Sequence, residues 1–269
     1  MIRLFVRLLT AAALTLTLAP AAFAQADEDD SVLRPSEPDV TLVGLPTAMR
    51  LPQWGSLFRI THRFNGSLDN GALGDMFGLD EGAKIGLEYR IGIVKGGQVG
   101  VYRTSDKTIQ FFGQYGVFRQ SGSSPVEVAA LASIEGTNNF QDSYSPALGA
   151  IISHRIREVV ALYAEPIWVN NSNAQPSELV DDNDTFMLGI GARLRFRPTV
   201  YVVFEMTPRV SGNAPGSTLT SFAIEKRAGG HVFQLNVGNG NATTPGQIAR
   251  GATDYDNWYL GFNLSRKFY

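Results

Sequence analysis

The chain has no cysteine and only three histidines among its 269 residues. Without cysteine it can form no disulfide, carry no lipid-modified N-terminal cysteine and offer no thiolate to a metal. After residue 24, no segment approaches the run of about 18 apolar residues that is typical of a transmembrane helix. If the rest of the chain crosses a membrane, it must therefore do so with β-strands.

The first 24 residues are typical of a secretory signal peptide. Arg3 and Arg7 precede the apolar segment Leu8–Leu18, and Ala22-Phe23-Ala24 provides a small-residue cleavage site. The apolar segment is shorter than the roughly 20 residues of a membrane-spanning helix. We therefore predict cleavage after Ala24, which removes two of the 23 basic side chains and leaves 21 against 25 acidic ones. An acidic mature chain is not expected to bind nucleic acid.

Residues 25–54 differ in composition from the rest of the chain. Asp27–Asp30 is acidic, four prolines follow between Pro35 and Pro52, and the segment has no sustained hydrophobic period. We interpret it as an extended periplasmic lead-in. A plain tail is favoured over a plug, because the segment is short and has few apolar residues to bury. Residues 55–269 are predicted to form a single β-barrel domain.

Alternation of apolar and polar residues with a period of two begins at Leu57. The clearest case is Phe186–Arg197, where every second residue from Phe186 is apolar and those between are small, flexible or charged. Twelve segments of about 7 to 13 residues fit this pattern, which brackets the length of a tilted strand that crosses an outer membrane. They are 57–64, 84–91, 99–104, 109–118, 126–134, 147–153, 159–168, 186–197, 199–206, 219–224, 232–237 and 258–268.

The lengths of the connections also alternate. Long ones, such as Gly66–Ala83 and Gly238–Asn257, follow odd-numbered strands, and short ones, such as Val94–Gln98, follow even-numbered strands; Asp106-Lys107 is a short exception. Outer-membrane barrels have short periplasmic turns and long outer loops, whereas a soluble sandwich has no reason for this alternation. The fold predicted is an all-β, antiparallel up-and-down transmembrane barrel of about 12 strands, with both termini periplasmic.

The last predicted strand, Trp258–Tyr269, is amphipathic and ends in aromatic residues. Such an end resembles the signal read by the barrel-assembly machinery, which we expect as a partner, although the apolar phase falls on Phe268 and not on Tyr269. Outer-membrane lipid and lipopolysaccharide are the other expected partners, and the expected location is the cell outer membrane.

Several short strings resemble an uncharacterised family of Gram-negative β-barrel proteins, known only as a domain of unknown function. They occur in order along most of the chain: Ile60–Phe64, Asp75–Asp80, Val99–Thr104, His231–Gln234 and Gly261–Arg266. The resemblance implies an outer-membrane barrel and no assigned activity.

Neither a catalytic nor a metal site is evident in the sequence. Outer-membrane phospholipases carry a His-x-Ser string, but the residues two places after the histidines are Phe64, Ile156 and Phe233. Ser153 precedes His154, and neighbours on a strand face opposite sides. The acidic stretch Asp181–Asp184 lacks the glycine and distal glutamate of a calcium loop. We predict no enzyme and no cofactor, and retain a lipid-modifying enzyme only as a lesser alternative.

Polar residues on the faces opposite the apolar ones are the candidates for lining the lumen. They are Arg59, Thr61, Arg63, Lys84, Glu88, Arg90, Gln110, Gln114, Arg193, Arg195, Glu205, Gln234 and Asn236. One interpretation is a polar filter for small solutes with an anion preference; the other is a network of ion pairs that fills the barrel. The inward glycines Gly86, Gly116, Gly189 and Gly191 leave room for a narrow passage.

The function predicted is a narrow passive pore or solute-binding channel of unknown substrate. The alternative is a structural or interaction barrel with a lumen filled by side chains. A soluble secreted β-protein is a weaker alternative.

Overall fold

The computed structural model describes residues 36–68, 79–173, 175, 182–251 and 257–269. The predicted signal peptide, most of the string Asp75–Asp80, and Asp181 of the acidic stretch lie outside the described residues.

Thirteen antiparallel strands form one continuous sheet. Twelve of them close into a barrel, because β1 pairs with β13 and β8 pairs with β9; the short β10 pairs only with β8. The strands are β1 (Ser56–Ser67), β2 (Ala83–Val94), β3 (Gly97–Thr104), β4 (Ile109–Phe118), β5 (Glu127–Gly136), β6 (Asp142–Ile156), β7 (Val160–Asn170), β8 (Asp184–Arg197), β9 (Val200–Thr207), β10 (Arg209–Gly212), β11 (Leu219–Ala228), β12 (His231–Gly238) and β13 (Tyr259–Phe268).

Two short helical segments interrupt the strands. In α1 (Thr137–Phe140) the backbone of Asn138 and Asn139 is left-handed, so this segment is a tight turn between β5 and β6. In α2 (Pro245–Ala249) proline begins the helix and the Thr244 hydroxyl accepts a hydrogen bond from an amide of the first turn. No helix in the described part of the chain is long and apolar enough to cross a bilayer.

The prediction of a 12-stranded antiparallel barrel is confirmed, and each predicted segment corresponds to one strand of the closed barrel. The predicted and observed bounds coincide for β4 and differ most for β6, which extends beyond both ends of the predicted segment 147–153. The strand missing from the prediction is β10, within the predicted loop Thr207–Thr218. Four residues are too few for a period of two to be recognised.

The two faces of the barrel wall have opposite polarity. Large apolar side chains such as Leu87, Phe111 and Phe233 are about half exposed on the outer face, whereas charged side chains such as Glu88 and Arg193 are buried on the inner face. A soluble protein has the reverse arrangement, since water favours charge outside. An apolar outer wall with every central strand hydrogen-bonded on both sides suits a hydrocarbon environment.

The two ends of the barrel are distinguished by their connections. Ser56 at the start of β1 pairs with Phe268 at the end of β13, so both chain ends of the barrel lie at the same end as the short turns at 95–96, 198–199 and 229–230. We name this the turn end. The opposite loop end carries the connections at 68–82, 171–183, 208–218 and 239–258. That the turn end faces the periplasm remains a prediction.

Candidate functional site: a filled lumen

Residues 36–52 form a hairpin inside the barrel, which we name the inner hairpin. Thr41 bridges to Pro46, and the Leu42 amide donates to the Leu45 carbonyl at 2.8 Å. The Thr47 amide donates to the Val40 carbonyl at the same distance. Nearly every residue from Ser36 to Leu51 is buried. The segment enters from the turn end, reverses direction near Gly44 and returns to β1.

The expectation of a periplasmic tail is wrong for this part of the lead-in. The number of apolar residues in the segment is a poor guide here, because burial also depends on what surrounds it. A barrel of twelve strands has an interior wider than its own side chains fill, and its inner wall supplies hydrogen bonds for a buried main chain. A segment of modest hydropathy can therefore be buried here without leaving its peptide groups unpaired.

Glu205 of β9 binds the tip of the inner hairpin. Its carboxylate accepts hydrogen bonds from three successive amides, those of Val43 at 2.9 Å, Gly44 at 2.9 and 3.0 Å, and Leu45 at 3.1 Å. Successive amides that converge on one anion form a compact site for a carboxylate. A Cβ atom at Gly44 would lie only 3.3 Å from the Glu205 carboxylate, so glycine allows this close approach.

Donors on β1, β12 and β13 bind carbonyl groups of the same hairpin. Arg63 and Asn263 donate to the Val43 carbonyl at 3.2 and 2.9 Å, and Gln234 donates to the Leu42 carbonyl at 2.7 Å. Elsewhere along the hairpin, three wall side chains also donate to backbone carbonyls at 2.6 to 2.9 Å. They are Arg193 to Thr41, Gln114 to Thr47 and Gln98 to Met49. The wall therefore holds the hairpin mainly through its main chain.

The apolar side of the hairpin packs into gaps left by glycines. A Cβ atom at Gly191 would lie 2.1 Å from the Leu42 side chain, and one at Gly189 would lie 2.9 Å from the Leu45 side chain. At Gly116 the space is taken by Arg50 of the hairpin. The expectation that these glycines leave a passage is therefore wrong, because their space is occupied. Gly86 likewise accommodates the Tyr102 hydroxyl of the neighbouring strand.

Two acidic residues of the inner hairpin contact the wall near the turn end. Glu37 accepts hydrogen bonds from Arg155 at 2.9 Å and from the Tyr163 hydroxyl at 2.8 Å. Asp39 accepts one from the Ser265 hydroxyl at 2.7 Å. Both acidic residues are almost completely buried.

The structure places the thirteen lumen-lining candidates on the inner face, and all but Lys84 and Arg195 are buried. Many of them belong to ion pairs or hydrogen bonds within the wall. The Glu88 carboxylate accepts hydrogen bonds from the Nε atoms of Arg59 and Arg90, both at 3.0 Å. Arg193 donates two hydrogen bonds to the Glu225 carboxylate, at 2.8 and 2.9 Å. The smaller contacts are Thr61 with Tyr102, Asn236 with Gln234, and Arg195 with the Pro198 carbonyl; Gln110 is buried on β4.

Lys84 lies at the loop end and pairs with Asp106 at 2.7 Å. Burial by itself would raise the pKa of Asp106. Hydrogen bonds from Lys84, the Thr104 hydroxyl and the Thr108 amide outweigh this effect and lower the pKa below its usual value.

The connection between β12 and β13 folds into the barrel from the loop end. Glu135 accepts hydrogen bonds from the Gly246 amide at 3.0 Å and from Arg250 at 3.2 Å, and Ile248 is buried in the same apolar cluster as Leu42. A Cβ atom at Gly44, at the hairpin tip, would lie 3.8 Å from the carbonyl of Ala242 in this connection. The two segments therefore meet inside the lumen, one from each end.

The partners that sequence reasoning missed are those supplied by the hairpin and by late strands. Glu225, Asn263, Ser265 and Lys267 lie on the inner faces of β11 and β13 and are buried. The alternation in these strands is the signal that could have identified them. Nothing comparable marks the hairpin residues, since that segment has no period.

The three histidines lie on the outer wall or at its edge. His62 stacks on Phe262 with ring centroids 4.7 Å apart, His154 contacts the Pro125 carbonyl at 2.6 Å, and His231 lies beside Arg266. Ser153 is buried on the inner face, whereas His154 is on the other face. Among the described residues, no group of three or more acidic or histidine side chains could hold a metal ion.

These features define a membrane β-barrel with a porin-like fold and a lumen occupied by its own chain. The sequence matches the family model described as "Membrane bound beta barrel domain (DUF5777)" over residues 40–268. The chain therefore belongs to this family, which confirms the resemblance noted from the sequence. No curated protein matches the sequence.

Solved structures with a similar fold are bacterial porins. The NanC porin is similar with a TM-score of 0.54 and 8% identity, over 80% of this chain and 100% of that chain. The KdgM porin in complex with disordered oligogalacturonate has a TM-score of 0.53 and 8% identity, over 80% of this chain and 99% of that chain. At this identity the similarity shows the fold alone. A closed barrel with an apolar outer wall, in a membrane-bound family, belongs in the outer membrane.

Proposed function

We propose that the protein is an outer-membrane channel that is closed by its inner hairpin and opens when the hairpin withdraws toward the turn end. The observation that carries this proposal is how the hairpin is held. Polar wall groups bind its main chain, and water or a polar solute could replace those contacts one for one. A wall of this kind suits an aqueous passage.

The hairpin is also connected in a way that permits withdrawal as a unit. Within the described part of the chain, it joins the barrel through residues 53–55, and its turn is closed by its own hydrogen bonds. The family match includes residues 40–52 together with the strands. We therefore regard the hairpin as part of the domain and as the gate of its channel.

A channel is favoured over an enzyme because most of the polar groups inside the barrel bind each other or the hairpin. The solved structure of the KdgM porin contains oligogalacturonate, and we propose that this chain likewise passes a polar solute. We also propose that the outer face of β13, with Phe262 and Phe268, is read by the barrel-assembly machinery.

A structural barrel with a permanently filled lumen is the second candidate. The meeting of the hairpin tip with the connection between β12 and β13 favours it, because the lumen is filled from both ends. In that case withdrawal of the hairpin alone would open no passage.

Conductance in planar bilayers separates the two candidates. A variant that lacks residues 36–52 should show stable ion conductance, whereas a permanently filled barrel should show none even after this deletion. The Leu42 Cγ atom lies 3.6 Å from the position of a Cβ atom at Gly191, so the Leu42→Cys, Gly191→Cys pair should form a disulfide. The oxidised pair should stay closed and regain the openings of the reduced protein after a reductant is added. Unboiled gel mobility verifies that each variant is folded.

A further inference from the structure

Several positively charged groups of the wall surround Asp39. Asp39 interacts electrostatically with Arg59, Arg90, Arg193 and Lys267 of the wall. The acidic wall groups that interact with the same cluster are Glu88 and Glu225. The four cations that interact with Asp39 therefore have two wall carboxylates beside them, and Asp39 of the hairpin adds a third negative charge.

The contacts of Asp39 are those of a bound carboxylate. One oxygen accepts a hydrogen bond from Ser265 at 2.7 Å, and the other accepts one from the Val40 amide at 2.8 Å. Lys267 donates to the adjacent Pro38 carbonyl. If the hairpin withdrew, the Ser265 hydroxyl and the Lys267 ammonium would both be free to bind another acceptor.

We infer that the position of Asp39 is a carboxylate site of the lumen, which an organic carboxylate from outside can occupy in place of Asp39. Such a solute would compete with the hairpin and so favour the open channel. This inference rests on the proposed function, since it requires that the hairpin can withdraw.

Glu37 does not mark a second site of this kind. Its partner Arg155 also binds Glu127 at 2.9 Å and lies 3.8 Å from Glu158. Withdrawal of Glu37 would therefore leave no excess positive charge. Glu37→Gln therefore loosens the hairpin but removes no charge from the Asp39 position.

Equilibrium binding to the full chain in detergent tests the site. The probes are galacturonate, with galactose as its neutral analogue, and N-acetyl-aspartate amide, with N-acetyl-asparagine amide as its neutral analogue. In the wild type, tethered Asp39 competes at an effective concentration on the order of millimolar or higher, so binding should be weak. In Asp39→Asn, the apparent dissociation constant for at least one carboxylate probe should fall about tenfold or more, because a charged hydrogen-bonded contact is lost from the hairpin.

The pattern across probes and variants decides the outcome. Preference for either carboxylate over its neutral analogue supports the site. The preferred probe shows whether the site takes the carboxylate of a sugar acid or that of an acidic peptide. Adding Lys267→Gln to Asp39→Asn should remove the gain. No gain for either carboxylate in Asp39→Asn, or a gain that persists when Lys267→Gln is added, would overturn the inference.

A second measurement covers the case in which Asp39→Asn does not fold. In the otherwise wild-type chain with Ala48→Cys, the carboxylate probe should speed thiol labelling of the hairpin, and its neutral analogue should not. Failure of the inference and of the proposed function are distinguishable, because binding does not require conduction. Conductance after deletion of residues 36–52 without any carboxylate binding would leave the channel standing and remove the site.

Discussion

Glu205→Gln should release the inner hairpin. The Glu205 carboxylate accepts hydrogen bonds from three successive amides of the hairpin tip. Glutamine keeps the shape but places an amide group, itself a donor, where one carboxylate oxygen accepts. Hydrogen bonds to a buried charge contribute about 1.5–3 kcal/mol, and neutral bonds are about half as strong. We expect docking of the hairpin to weaken by about 2–3 kcal/mol, which increases the undocked fraction roughly 30- to 160-fold.

The assay uses the absence of cysteine from the chain. Ala48 is completely buried within the hairpin, so Ala48→Cys introduces a single protected thiol. Its rate of modification by a water-soluble maleimide reports the undocked fraction when undocking is fast and reversible. The rate in Glu205→Gln should rise by the factor given above.

Glu165→Gln is the matched control. Glu165 lies on β7, which β8 separates from β9, and is completely buried, but its carboxyl group has no hydrogen-bond partner among the described residues. Both substitutions replace a buried carboxyl group of the barrel wall with an amide, and only Glu205→Gln removes hydrogen bonds to the hairpin. Equal labelling rates in the two variants, both folded by gel mobility, would show that Glu205 does not hold the hairpin.

Three further predictions concern the glycine gaps and the loop end. Gly191→Leu should fill the space of a hairpin leucine and speed labelling of the hairpin thiol, whereas Gly113→Leu should not, since a Cβ atom there meets nothing closer than 3.9 Å; equal rates would contradict the role of the gap. The lowered pKa of Asp106 means that its contacts stabilise the folded state above the ordinary pKa of about 4. They are lost as the pH falls through the lower folded value, so hydrogen exchange of residues 105–108 should rise at acidic pH, and Asp106→Asn should remove this dependence. Glu135→Gln should loosen the connection between β12 and β13 and speed its hydrogen exchange about tenfold; unchanged exchange would mean that the apolar contacts suffice.

The strands could be predicted from the sequence because alternation is a local property. Each of the twelve strands of the barrel has its own apolar and polar faces, so its inner side chains follow from the sequence of that strand alone. The partners of those side chains do not follow. Arg193 and Glu225 are 32 residues apart and meet only because β8, β9 and β11 are adjacent in the closed barrel.

The inner hairpin could not be predicted for a different reason. Its position depends on the fit between a segment without a period and a wall assembled from most of the strands. Gly189 and Gly191 indicate that space is left on β8, but the sequence does not say whether water, a solute or the chain itself fills it. The hairpin has too few apolar residues to predict a core from its sequence. They are sufficient to bury the hairpin once they pack into the gaps beside these glycines.

The charges of the wall argue that the hairpin is separable from the barrel. Arg193 is paired with Glu225, and Glu88 is paired with two arginines, so each of these groups keeps an ion-pair partner whether or not the hairpin is present. Ser265 and Glu205 instead bind groups of the hairpin. A wall that is internally paired, with a few groups directed at the hairpin, can remain folded around water after the hairpin leaves. The same few groups then become the places where a solute binds.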